Sequence, residues 1–495
     1  MTRSPTVNTS LAFVGVALLC LLVADLEVAT LHPWAELWRM VTGAVTPNFL
    51  GLYRLLEAML QTVAFAFVGV ALGGALGFGL ALLFHYRIVR LGCAFVRAIH
   101  ELFWALIFIQ MFGPAPLTGL LALALPYAGI FAKVYSEILE EADQAPLQAV
   151  PEGTGTVSLF LFARLPDSWP AIKNYTAYRF ECGLRSSAVL GFVGLPTLGF
   201  YLESSFSQGL YSEVAALLLL FYLLVASLRL WVRPRLAWLY VAASLVLLWQ
   251  DIYAPSWANV ARFFTQDIVP GPLHDGSLAA AGTWSGLWEW MSTLAVEQAL
   301  PGAFNTVVLT QIALVGTGIL TLAWFPLISR KFFGPVGRLA GHLFLVVTRT
   351  TPEYILTFVF LSLWGPSMLP AIVALALHNG AIIGHLVGRH TDNIPSRPDA
   401  PRGLNLYGYE VLPRVYGQFL AFLFYRWEVI MRETAILGIL GIHTLGFYID
   451  SAFADIRFDR ALFLILFTAV LNIGVDAISR TIRGRLKLTI SPDMK

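Results

Sequence analysis

Charge is scarce in this sequence. Asp, Glu, Lys and Arg make up 13% of the 495 residues, against about 25% in an average soluble domain. The formal net charge is only +2, and no basic run interleaves with aromatic residues, which excludes a nucleic-acid partner. Cysteine is nearly absent. Cys20, Cys93 and Cys182 are odd in number and far apart, which excludes a disulfide framework and a cysteine metal site; they read as small buried hydrophobes. No Gly-x-x-x-x-Gly-Lys-Ser/Thr loop occurs, so ATP hydrolysis by this chain is not expected. His-x-x-x-His and Cys-x-x-Cys are missing as well. The nine histidines are scattered, and His100, His342 and His378, near predicted helix ends, read as interfacial side chains. No catalytic constellation, metal or cofactor is expected.

What is abundant is apolar surface, at 58% of residues. That exceeds what one buried core absorbs, so a bilayer must solvate part of it. A helix crossing about 30 Å of hydrocarbon needs about 20 mostly apolar residues. Windows of that kind lie near 10–28, 59–85, 98–113, 117–135, 178–203 and 211–231, then 236–253, 303–328, 343–364, 367–388, 425–449 and 461–478. The expected fold is an all-α polytopic membrane protein of about twelve helices, because irregular backbone cannot face lipid. Arg3 precedes the first apolar run, but Asp25 and Glu27 follow it in place of a small-residue cleavage site. The run therefore reads as a retained spanning helix.

Lys and Arg set the orientation. Arg87, Arg90 and Arg97, then Arg229, Arg233 and Arg235, then Arg330, Lys331 and Arg338 share one side. Arg389, Arg397, Arg402 and Arg414 join them, as do Arg480, Arg483, Arg485 and Lys487 in the tail. Both termini and the loops 136–175 and 389–424 are expected in the cytoplasm. Segments 32–58 and 254–300, with Trp34, Trp38, Trp284, Trp288 and Trp290, are expected outside.

The sequence repeats itself. Residues 178–206 (YRFECGLRSSAVLGFVGLPTLGFYLESSF) recur 247 positions on as YRWEVIMRETAILGILGIHTLGFYIDSAF, with 15 of 29 positions identical. Leu165-Pro166 recurs at the same offset as Leu412-Pro413. A second block, offset by 252, matches Arg97, Glu101, Gly113, Pro114 and Leu125 to Arg349, Glu353, Gly365, Pro366 and Leu377. Two copies of one unit are fused head to tail, expected as 1–235 (core 50–230) and 236–495 (core 300–490). An even helix number in each half makes them parallel repeats about an axis along the membrane normal. Such a pair lends itself to a pore on that axis.

These residues resemble the permease subunits of phosphonate-type ABC importers. The first half shows EILEEADQAPLQAV, then Gly153 and ARLP; the second shows RTTPE, ALALHNGAIIG, VLPR and YRWE. The resemblance implies a transmembrane permease in a bacterial plasma membrane, in contact with lipid. It further implies two ATPase subunits on the cytoplasmic side and an external solute-binding protein. Phosphonate, phosphite and phosphate stay open as solutes. An importer of another small solute, an ion-driven secondary transporter and, more remotely, a membrane enzyme are the alternatives.

Under this resemblance the ATPase-coupling loops hold Glu137, Glu140, Glu141, Asp143, Gly153, Leu165 and Pro166 in the first half. Arg402, Gly403, Tyr407, Leu412 and Pro413 hold the place in the second. Each proline is expected to start afresh a short helix crossing the membrane plane, which seats in a groove of an ATPase. The second loop lacks the acidic-alanine start, and Asp476 stands where the first half has Ala226, so unequal engagement of the ATPases is expected.

Glu181 and Arg185, with Glu428 and Arg432, lie four apart, one turn along one helix face. Arg97 and Glu101, with Arg349 and Glu353, share that spacing. Charges at membrane depth favour function, so these eight are candidates for a gate or inter-helix brace. Gly191, Gly194, Thr197 and Gly199, with Gly438, Gly441, Thr444 and Gly446, are candidates to line the pathway, the two hydroxyls facing a passing oxyanion. Gly69, Gly73 and Gly77 read as packing positions.

Overall fold

The structure, a computed structural model, describes residues 5–30, 32–49, 54–141, 154–249, 256–276 and 280–488. Among the described residues all regular structure is helical. Among these residues six helices are long and apolar enough to cross a membrane: Leu55–Leu82, Pro116–Glu140, Tyr211–Leu228, Ala281–Ile328, Met368–Asn393 and Phe458–Arg485. Three bent pairs raise the number to nine if each counts as one span. The shorter apolar Pro5–Leu21 and Pro234–Trp249, with the 28-residue Leu412–Ile439, occupy the other expected windows. Large apolar side chains face outward throughout. Leu22, Ile88 and Val336 are each 81% exposed, as a protein solvated by lipid requires.

Two expected spans turn through a right angle. Arg87–Ala98 meets Glu101–Phe112 at 91°, and Pro335–Thr350 meets Glu353–Trp364 at 91°. Local chemistry makes both corners. Pro352 bars its neighbour from helical backbone, and Thr351 is accordingly extended, with φ −64° and ψ 118°. In the first half Ile99 and His100 are extended instead, and His100 Nδ1 accepts the Leu102 N–H at 3.2 Å to start the next helix. The residues before each corner form amphipathic helices with basic faces.

The chain makes two compact units, Thr42–Gln266 and a second composed of Met1–Val41 with Asp267–Lys495. In the first, Gly69, Gly73 and Gly77 bring Leu55–Leu82 against Pro116–Glu140. A Cβ on them would lie 2.9, 2.7 and 2.5 Å from the Cβ atoms of Leu123, Tyr127 and Phe131. Ala237–Trp249 covers the same long helix, with the Tyr240 ring stacked on Phe67 at 5.2 Å. In the second unit Pro5–Leu21 covers Leu300–Trp324. Phe13 packs edge-on to Phe424 (5.0 Å) and Trp427 (5.1 Å), and the Tyr416 hydroxyl donates to Ser10 Oγ at 2.7 Å. The repeat boundary expected from the sequence is 235/236, whereas the compact units take the opening segment of the chain together with its second half.

Candidate functional site

The repeated glycine-rich stretch builds the same device in each unit. Thr156–Val193 breaks and resumes, bent by 54°, as Leu198–Ser207; Leu412–Ile439 is likewise followed by Leu445–Ala454. The breaks turn on Gly194 (φ +81°) and Gly441 (φ +86°), in the left-handed region that suits glycine. Gly191, Gly199, Gly438 and Gly446 permit backbone-on-backbone contact. A Cβ on Gly199 would stand 1.7 Å from Ala188 O, and one on Gly446 2.2 Å from Ala435 O. Thr197 and Thr444 sit at the N-cap positions of the second segments and are wholly buried. The N–H groups that follow are taken by Thr62 Oγ1 (from Leu198, 2.9 Å) and Thr306 Oγ1 (from Leu445, 3.0 Å). Gly191, Gly199, Gly438 and Gly446 are thus close-packed and Gly194 and Gly441 make the turns, while Thr62 and Thr306 were not singled out from the sequence.

A polar network lies beside each break. In the first unit Ser186 Oγ donates to Glu101 Oε1 at 2.7 Å, and the Tyr127 hydroxyl stands 3.4 Å from Ser186 Oγ. In the second, the equivalents of these three are Glu353, Glu433 and Asn379. His378 Nδ1 lies 2.8 Å from Thr351 O, and its Nε2 lies 3.8 Å from Glu353 Oε2. Asn379 Nδ2 donates to Glu433 Oε2 at 3.0 Å, and Arg426 Nη1 lies 3.9 Å from Glu433 Oε1.

Two sequence expectations are corrected here. His378 is not interfacial: it is 2% exposed, in the middle of Met368–Asn393, because the ring is needed to meet Thr351 and Glu353 across the corner. Arg97/Glu101 and Arg349/Glu353 do not share a helix face, because a right-angle corner falls between the members of each pair. Glu181/Arg185 and Glu428/Arg432 do each lie on one helix. Ser186, Asn379 and Glu433 were missed, since nothing in the local sequence says which face of a helix meets the corner.

The loop residues are placed as follows. Glu137, Glu140 and Glu141 are exposed at the end of Pro116–Glu140, with Ser136 Oγ donating to Glu140 Oε1 at 2.9 Å. Asp143 and Gly153 lie outside the described residues. Leu165-Pro166 and Leu412-Pro413 do not start short helices. They open the long helices Leu165–Val189 and Leu412–Ile439, which continue from the preceding π turns Phe160–Arg164 and Leu406–Val411. Proline is at home in a first turn, where its missing N–H costs nothing. Arg164 closes the first loop by donating Nε and Nη2 to Leu139 O at 2.9 and 2.7 Å.

The second loop is tied down further. Arg402 is exposed beside Gly403, whose φ is +65°. The Tyr407 hydroxyl donates to Leu322 O at 3.1 Å, its ring stacks on Phe325 at 5.5 Å, and burial raises its pKa. Two acidic residues not picked from the sequence do most of the holding. Asp392 Oδ1 accepts from Ser329 Oγ (2.7 Å) and Arg330 N (2.8 Å). Buried Glu410 pairs with Arg414 at 2.8 Å and Arg397 at 3.6 Å. Lys331 Nζ donates to Ile394 O at 2.6 Å, and burial followed by the Arg414 charge lowers its pKa. Asp476, the residue without a first-half counterpart, pairs with Arg480 at 3.0 Å.

Known proteins resemble the chain. The chain is 25% identical over 421 residues to the phosphate-import permease protein PhnE of Mycolicibacterium smegmatis, covering 81% of this chain and 78% of that one. It is 30% identical over 231 residues to the phosphite transport system permease protein PtxC of Stutzerimonas stutzeri, 44% of this chain and 83% of that one. The putative phosphite transport system permease protein HtxC of the same organism is 26% identical over 214 residues, 41% of this chain and 76% of that one. The first match exceeds one repeat in length; the other two are close to a single repeat. No family model and no solved structure matches the chain.

Proposed function

The chain belongs to the permease family of phosphite, phosphonate and phosphate importers, and on that premise we propose that it is the fused, two-repeat transmembrane subunit of an ATP-driven importer of a phosphorus oxyanion. The observation that carries this reading is the likeness to a phosphate-import permease over 81% of the chain, beyond the reach of one repeat. Each half, 1–235 and 236–495, then stands for one permease of a pair, and a single chain serves two ATPase subunits. An external binding protein delivers the solute and sets most of the specificity.

The basic loops and both termini face the cytoplasm in this reading, in a bacterial plasma membrane. The ATPases seat against the two loops that end on Leu165-Pro166 and Leu412-Pro413. Because these prolines open continuous helices, a push on either loop travels along a rigid rod to the glycine break at its far end. Closure of the ATPases is thereby converted into movement of the broken helices, and access alternates. Glu101 with Ser186, and Glu353 with His378, Asn379 and Glu433, brace those rods part-way along. Glu181, Arg185, Glu428 and Arg432 ride on the same rods. The second loop, tied through Asp392 and Glu410, engages its ATPase differently from the acidic first loop.

The test is purification of the chain from its native membrane with whatever it binds, followed by reconstitution into liposomes. Uptake of labelled phosphite, phosphate or methylphosphonate that requires ATP, a co-purified ATPase and a binding protein is the expected result. Uptake by the chain alone, driven by a proton or sodium gradient, would overturn it.

A further inference from the structure

One grouping in the second unit is only partly matched in the first, and bracing a helix does not account for its chemistry. Glu353, His378 and Glu433 each bring one ligand-type atom within 4.8 Å of the others, and among the described residues no other three His, Cys, Asp or Glu side chains do so. The three come from three different helices, Glu353–Trp364, Met368–Asn393 and Leu412–Ile439. In the first repeat the equivalent positions hold Glu101, Pro126 and Ser186, so one acid is kept while the imidazole and the second acid are gone.

Three further features fit a cation. A carbonyl only accepts, so the 2.8 Å contact of His378 Nδ1 with Thr351 O fixes the proton on Nδ1. Nε2 is then the atom turned toward Glu353, and an imidazole held through its other nitrogen by a backbone carbonyl is the usual arrangement of a metal ligand. Secondly, both carboxylates are largely withdrawn from solvent, with side-chain exposures of 13% for Glu353 and 12% for Glu433. They stand close enough to repel, and Arg426 reaches only the far oxygen of Glu433, at 3.9 Å. Thirdly, Asn379 is wholly buried with its amide against Glu433 at 3.0 Å, and its Oδ1 has no hydrogen-bond partner. The same amide nitrogen donates to Leu375 O at 3.1 Å, so Asn379 steadies the Glu433 carboxylate beside the triad.

We propose that Glu353, His378 and Glu433 form a binding site for one divalent transition-metal cation in the second repeat alone. One imidazole with two carboxylates suits Zn²⁺, Mn²⁺, Fe²⁺ or Co²⁺. Metal–ligand bonds of about 2.0–2.2 Å put two donors on one ion roughly 4 Å apart or closer, so the side chains must draw in only slightly. The ion clasps three helices at the corner after Pro352 and stiffens the second repeat relative to the first. The inference stands apart from the transport reading, since it concerns the chain by itself.

The experiment uses the full chain purified in detergent, stripped with chelator, incubated with Co²⁺ or Zn²⁺ and desalted. Elemental analysis is expected to find one metal per chain, with a higher melting temperature than the stripped form and visible Co²⁺ absorption typical of imidazole ligation. His378→Gln and Glu433→Gln should each abolish the stoichiometric metal, while Glu101→Gln and His385→Ala retain it. A wild-type chain with no stoichiometric metal, no melting shift and no Co²⁺ spectrum overturns the proposal whatever the variants do. Full retention of metal by a folded His378→Gln/Glu433→Gln double variant also overturns it, because the ion then sits elsewhere.

Discussion

The hydroxyl of Thr62 accepts the backbone N–H of Leu198 at 2.9 Å, across 136 positions of sequence, and Thr306 does the same for Leu445 at 3.0 Å. Each hydroxyl spends its own hydrogen on the carbonyl four residues earlier, Ala58 O at 2.7 Å or Gly302 O at 2.6 Å. A long membrane helix thus carries the cap for a short one that begins in the middle of the protein. Removing the hydroxyl leaves a buried N–H with no acceptor, which costs about 1–3 kcal/mol. Thr62→Ala and Thr306→Ala should each lower the melting temperature in detergent and reduce uptake, and serine at either position should restore both. Equal melting of the alanine and wild-type chains would remove the cap from the account.

The glycine breaks allow a sharper comparison. Alanine at Gly199 or Gly446 drives a Cβ into a carbonyl, at 1.7 or 2.2 Å, whereas alanine at Gly79 meets nothing within 4 Å. Gly199→Ala and Gly446→Ala should prevent accumulation of folded protein in the membrane. Gly79→Ala should express and melt like the parent, gaining slightly from helix propensity. Normal folding of both break variants would mean that the two segments are not packed backbone to backbone.

Glu410 is the anchor of the second loop. Its side chain is 7% exposed, but its partners Arg414 and Arg397 are 31% and 66% exposed, so solvent screens much of the attraction. Glu410→Gln is expected to cost about 1–2 kcal/mol, below the usual range for a buried pair, and to speed limited proteolysis between residues 394 and 411. Arg397→Ala, at the exposed end, should cost no more than about 1 kcal/mol. Unchanged cleavage kinetics in Glu410→Gln would show that other contacts hold the loop.

The acidic end of the first loop bears on coupling. Glu140 and Glu141 are exposed, so reversing them to lysine should leave folding intact. Capture of the ATPase by the chain in pull-down should fall severalfold, and Glu57→Lys should leave it unchanged. Wild-type binding and uptake in the double reversal would detach these residues from the ATPase.

Much of this was legible beforehand, for reasons that differ by feature. The repeat was readable because identity at Tyr178, Arg179, Glu181 and Arg185, matched by Tyr425, Arg426, Glu428 and Arg432, needs no structure to recognise. The corner after Arg349 was hidden, although Pro352 announced a break, because hydropathy alone runs straight through it. The four-residue spacing of Arg349 and Glu353 misled for the same reason: spacing implies a shared face only while one helix continues. The length of the helices that Leu165-Pro166 and Leu412-Pro413 open was not legible, since a proline near a helix start fits a short helix and a long one equally well.

By itself the sequence determined the solvent, the helical class, the duplication and the resemblance to importer permeases. These depend on composition and on identity along the chain, which are properties of residues in order. Tertiary structure decided which apolar helix covers which: Pro5–Leu21 lies on Leu300–Trp324, and Ala237–Trp249 on Leu55–Leu82. Uniformly apolar helices carry no address, and only the fit of Phe13 against Phe424 and Trp427 selects the partner. It also decided that Glu353, His378 and Glu433 meet. Their distances along the chain are set by loop lengths, but their distance in space is set by a right-angle corner and the packing of three helices.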